Sequence, residues 1–176
     1  MRMNTLVTTL GLVLASATTA RAQKVTYDYD KTADFSKIRT YAWVRGQELQ
    51  DELNHKRVVS AIDAQLAAKG LTRVEANGMA DVLVVYDAGF DRNLQIEGSS
   101  MDWGGPLRRG NRNGSARVAE IVTGTLVVGL LDPETKSVVW RGMATRDIDM
   151  TASPEKRDRN VTKTVAKLLE HYPPKQ

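Results

Sequence analysis

The sequence predicts an α+β domain: a two-layer sandwich whose largely antiparallel sheet, of about five or six strands, carries two helices on one face. Three observations lead there. Segments of alternating polarity recur along the chain, and two stretches place apolar side chains at helical spacing. The polar run Asp132-Pro133-Glu134-Thr135-Lys136 joins two long, strand-like segments as a hairpin, with proline presetting its own backbone angle in the turn.

The elements follow in chain order. KVTYDYD, from Lys24, alternates Val25, Tyr27 and Tyr29 with Thr26, Asp28 and Asp30, a strand with one apolar face. A turn in DFSKIRTYAWV leads to a second strand near Arg39 to Val44, where Tyr41 and Trp43 share a face. Residues 50 to 69 read as a helix with Leu53, Val58, Ile62 and Leu66 near one stripe, and Gly70 fits its left-handed stop. DVLVVY, Asp81 to Tyr86, is β-branched and almost continuously apolar, which places it inside the sheet.

Residues 91 to 117 hold five glycines and one proline and read as a long loop or irregular hairpin. Order returns from Val118 to Leu131, and the return strand runs from Ser137 to about Met150. One face of that strand, with Val138, Trp140, Gly142, Ala144, Ile148 and Met150, is apolar except for Arg146. A last helix opens at Ser153-Pro154, a cap and a first-turn proline. Its stripe is Val161, Val165, Leu168 and Leu169, and Pro173-Pro174 ends it.

Residues 1–22 stand apart. Arg2 precedes an apolar stretch from about Leu6 to Ala17, and Ala20-Arg21-Ala22 is a small-residue cleavage pattern. This is the form of a secretory signal removed after Ala22, with residues 23–176 left as a single domain. Cleavage would remove Arg2 and Arg21, so the 25 basic side chains fall to 23 against 21 acidic ones. That near balance, with export, argues against a nucleic-acid partner. The chain has no cysteine, hence no disulfide or thiolate chemistry and no site for lipoprotein acylation. The expected location is periplasmic or secreted and soluble, with no transmembrane segment once the signal is gone.

Chemical motifs are sparse. Asp28, Asp30 and Asp34 imitate a calcium loop, but its central glycine and distal glutamate are missing. Asp147 and Asp149 share a strand face with nothing to split their acidities. His55 and His171 are far apart in sequence, outside any H-E-x-x-H pattern, and read as solvated. No phosphate-binding or dinucleotide glycine pattern and no G-x-S-x-G elbow occurs. The expectation is therefore no catalytic residue, no metal and no cofactor.

Trp140-Arg141-Gly142 could bind an anion and stack on a ring. Strand alternation instead puts Trp140 in the core with Trp43, and Arg141 on the opposite face. The most unusual segment is WGGPLRRGNRNGSAR, Trp103 to Arg117, with four arginines and no carboxylate. Arginine forks suit phosphate or carboxylate, so Trp103, Arg108, Arg109 and Arg112 are the candidate anion- or partner-binding residues. The plainer reading is a polar loop that keeps a strand edge soluble.

VTYDYDKTADFSKIRTYAW, ADVLVVY, GTLVVGLLDPETKSVVWRG and the closing helix ending at Tyr172-Pro173-Pro174 together resemble a bacterial envelope family known as domain of unknown function 4136. The resemblance covers most of the chain after Ala22. It implies an exported domain of sheet and helices, without a known catalytic activity and without functional residues to carry over. Many relatives look like lipoproteins, and the missing cysteine sets this chain apart from them.

The leading expectation is a non-catalytic binding or structural domain of the periplasm. Its partner would be an envelope protein, an anionic lipid or a glycan. The alternative is a carrier holding a small apolar ligand between sheet and helices, in a cavity lined by residues such as Tyr86, Leu126 and Ile62. An envelope hydrolase comes last, since no motif supports it.

Overall fold

The computed structural model describes residues 23–44, 51–75, 79–97 and 117–175. They form β1 (Lys24–Tyr29), β2 (Thr40–Trp43), α1 (Glu52–Ala68), β3 (Thr72–Arg73), β4 (Val82–Glu97), β5 (Arg117–Leu131), β6 (Val138–Ile148) and α2 (Pro154–Leu169). The sheet has six strands in the order β1-β6-β5-β4-β2-β3. All pairings are antiparallel except those of β2 with β3 and β4. The chain is thus the expected α+β fold, a mostly antiparallel sheet with two helices. No helix among the described residues is long and apolar enough to cross a membrane.

Local chemistry explains the element ends. Asp51 caps α1 by accepting from the Asn54 backbone N–H at 3.0 Å, and Gly70 leaves the helix at φ 86°, where a side chain would be strained. Ser153 caps α2 through the Lys156 N–H. Asp132 closes the β5–β6 turn by accepting from the backbone N–H groups of Glu134 and Thr135 at 2.9 and 2.7 Å. Asp81 accepts from the N–H groups of Arg39 and Thr40, both at 2.8 Å, and so pins the start of β2 beside β4; those bonds hold its carboxyl below the ordinary range.

One reading is narrowed and one needs correction. Of the long loop or irregular hairpin expected over residues 91 to 117, residues 91–97 follow the hairpin alternative and not the loop: β4 continues to Glu97, paired with β5 from Asp91↔Thr123 to Glu97↔Arg117. Ladder bonds are made by backbone, so a polar run such as Asp91-Arg92-Asn93 stays in the sheet beside a long partner strand. Leu53 is also off the helix stripe, with 64% of its surface exposed. It precedes Ile62 by nine positions, which at about 100° per residue puts it on the opposite side of α1.

The core lies between sheet and helices. The register stacks Leu126 beside Ala144, Val128 beside Gly142 and Leu130 beside Trp140, and α2 lays Val165, Leu168 and Leu169 over them. A Cβ on Gly142 would sit 2.6 Å from Trp140 Cη2 and 2.8 Å from Leu168 Cδ2, so glycine is what lets the indole and α2 close together. Arg141 is exposed on the other face. Trp43 is half-buried against the same core.

Candidate functional site

A cleft of about 480 Å³ is lined by residues of the sheet and of both helices. Its floor comes from small residues brought level by the register. Ala88, Leu126 and Ala144 form one cross-strand row; Phe90, Gly124 and Arg146 form the next. Ile148 lies across Gly124, where a Cβ would meet its Cδ1 at 2.8 Å. Val58 of α1 and Val161, Asn160 and Thr164 of α2 complete the lining. The size is typical of a small-molecule site, and the lining is mostly apolar.

Among the described residues three charged ones line the cleft: Asp51, Arg146 and Arg157. Asp51 is committed to the α1 cap and also accepts from Asn54 Nδ2 at 2.6 Å. Arg157 donates from Nε to the Ala152 carbonyl at 3.0 Å and from Nη2 to that of Met150 at 2.9 Å, which fastens the turn before α2. Arg146 reaches across to α2, donating from Nη1 to the Asn160 carbonyl at 3.3 Å and to Thr164 Oγ1 at 3.4 Å. An Arg57–Asp158 ion pair joins the two helices.

The other polar groups serve the fold. Asp63 Oδ1 accepts from the Tyr41 hydroxyl at 2.7 Å and from Trp43 Nε1 at 2.9 Å, while Oδ2 accepts from Arg73 Nη1 at 2.9 Å. Asp63→Ala is therefore expected to destabilise the fold by about 2–3 kcal/mol, because the buried Tyr41 hydroxyl and the indole N–H lose a charged acceptor. Asp63→Asn, which keeps one acceptor oxygen, should cost clearly less. Urea melts of both variants check this, and equal losses would remove the hydrogen-bonding explanation.

The residues singled out from sequence are scattered. Trp103, Arg108, Arg109 and Arg112 lie outside the described residues, as does the segment 1–22. Asp30 and Asp34 cap turns by accepting from Thr32 and Ser36, and Asp149 accepts from Thr151 and Lys156. His55, expected in solvent, is half-buried, with Nδ1 2.6 Å from the Tyr86 hydroxyl and its ring stacked on that tyrosine. His171 stacks on Tyr27 at 4.5 Å. Neither Trp43 nor Trp140 lines the cleft, and among the described residues no group of three or more acidic or imidazole side chains is placed to hold a metal ion. Of the cavity-lining residues expected for a carrier, Leu126 is present; Tyr86 and Ile62 are in the solid core. Arg146 was visible in sequence only as the one charge on an apolar strand face.

A family model described as "Domain of unknown function (DUF4136)" matches residues 25–174. No curated protein matches the chain. Among solved structures, a PDZ domain protein from Parabacteroides distasonis aligns with a TM-score of 0.56 at 18% identity, over 88% of this chain and 37% of that one. The chain thus spans little more than a third of that protein. A PelC dodecamer from Paraburkholderia phytofirmans aligns with a TM-score of 0.50 at 13% identity, over 88% of this chain and 100% of that one. At these identities the likeness is one of fold.

Proposed function

We propose, for this chain, which belongs to the DUF4136 family, the role of a non-catalytic, exported binding domain of the bacterial envelope that holds an apolar ligand between sheet and helices. The observation that carries this is the cleft itself: about 480 Å³, floored by Ala88, Leu126, Ala144 and Ile148 and roofed by Val58 and Val161. A core packed solid at this point would have left no room for such a ligand. The polar lining supports binding over catalysis, because Asp51 and Arg157 are spent on local backbone and side-chain bonds. Export is supported by the pattern of residues 1–22.

The test uses the protein as processed by its host cell, which should begin at Gln23. Titrated with the neutral fluorescent probe phenylnaphthylamine, it should show saturable one-site enhancement. Ala144→Leu fills the floor and should weaken the probe at least about tenfold, the order expected when added side-chain volume must clash with either the ligand or the core. Equal binding by both proteins, or none by either, would remove the cleft as the site.

A further inference from the structure

We infer that Arg146 receives the anionic head of a single-chain amphiphile whose tail lies in the cleft, an inference that rests on the cleft being the binding site.

The strand pattern places the side chain. Trp140, Gly142 and Ala144 alternate inward along β6 and are buried. Arg146 is the next inward position, and it is half-buried. A guanidinium withdrawn from water is costly unless it is paired and hydrogen-bonded. Arg57, also half-buried, has such a partner in Asp158. Arg146 has no carboxylate partner among the described residues. Its bonds run to neutral oxygens at the long end of the hydrogen-bonding range: Asn160 and Thr164 from Nη1, and the Asp147 carbonyl at 3.4 Å from Nε. Nη2 donates to no described group.

Charge and shape then select the ligand class. Among the described residues the cleft presents two guanidinium groups against one carboxylate, and that carboxylate is engaged in the α1 cap. A free small anion would leave the apolar floor uncovered, and a neutral hydrocarbon would leave Nη2 without an acceptor. A carboxylate or phosphate head on one alkyl chain satisfies both. Such a head can accept from Nη2 while the chain covers Ala144, Leu126 and Val161, and charge-assisted bonds of this kind are the stronger class.

The experiment is displacement of phenylnaphthylamine from the purified, processed protein by submicellar laurate, dodecyl phosphate and lauryl alcohol. Laurate or dodecyl phosphate should displace the probe at roughly ten- to hundredfold lower concentration than the alcohol, the range of one hydrogen bond to a charged group. Arg146→Gln should abolish that advantage by weakening the anions alone, and Arg146→Lys should restore part of it. A purely structural arginine would not change the ratio of anion to alcohol. Equal displacement by anion and alcohol in the wild-type protein, a comparison that needs no folded variant, overturns the inference and leaves the cleft reading standing. Failure of all three amphiphiles to displace a bound probe overturns the inference, and failure of the probe itself to bind removes both.

Discussion

Replacing Trp140 by alanine is expected to destabilise the fold by about 3–5 kcal/mol, the range for emptying a large aromatic site in a core. The indole is fully buried and makes an edge-on contact with Tyr172 at a centroid distance of 5.5 Å. It also abuts Gly142 and shares a cluster with Leu168. One term opposes it: Nε1 is buried without a hydrogen-bond partner among the described residues, a cost of about 1–3 kcal/mol. Burying about 200 Å² of aromatic surface contributes up to about 5 kcal/mol, so packing wins. The two terms separate in Trp140→Phe, which removes the orphan N–H but keeps a ring and should cost well under half as much as alanine. Denaturant midpoints at neutral pH measure both. A loss below about 1 kcal/mol for the alanine variant would be surface-like and would contradict a packing role for this side chain.

That role was legible in sequence because strand alternation assigns faces without knowledge of neighbours. The same rule placed Arg141 outside and Trp140 inside, and the local chemistry of Gly70, Ser153-Pro154 and Asp132-Pro133 located three element ends. What alternation cannot supply is which strands lie side by side. Ala88, Gly124 and Ala144 become the floor of a cleft only because β4, β5 and β6 are adjacent and in this register. Each is an ordinary small residue in its own segment. Arg146 did break its strand's pattern, but a charge on an apolar face reads as noise until the volume beside it is known. His55 is hidden from a sequence reading for a related reason. Its charged helical neighbours suggested water, while the partner that half-buries it, Tyr86, comes from a strand 31 positions on.

Alkaline pH should unfold the domain between about pH 10 and pH 12. Burial pushes the Tyr86 and Tyr172 phenols up to about 12. Tyr41 is raised as well, first by burial and then by the Asp63 carboxylate that accepts its hydrogen bond. The sign follows from which state releases protons. Tyrosines in the unfolded chain ionise near pH 10, so below that value both states keep their protons and these groups confer no pH dependence. Above it the unfolded chain deprotonates while the folded one does not, and stability is lost until pH passes the folded values. Each such tyrosine removes about 1.4 kcal/mol per pH unit across that window. Three acting together remove at most about 8 kcal/mol across that window, comparable with the roughly 5–15 kcal/mol that a domain of this size has in reserve. Phenolate absorbance and far-ultraviolet circular dichroism should therefore change together, since these rings ionise as the core opens. Tyr172→Phe deletes one titrating group whose hydroxyl makes no hydrogen bond among the described residues, and it should move the alkaline midpoint upward while leaving neutral stability nearly unchanged. Complete phenolate formation near pH 10 with the dichroism intact would mean that these hydroxyls meet water freely, and the packing assigned to Tyr86 and Tyr172 would have to be abandoned.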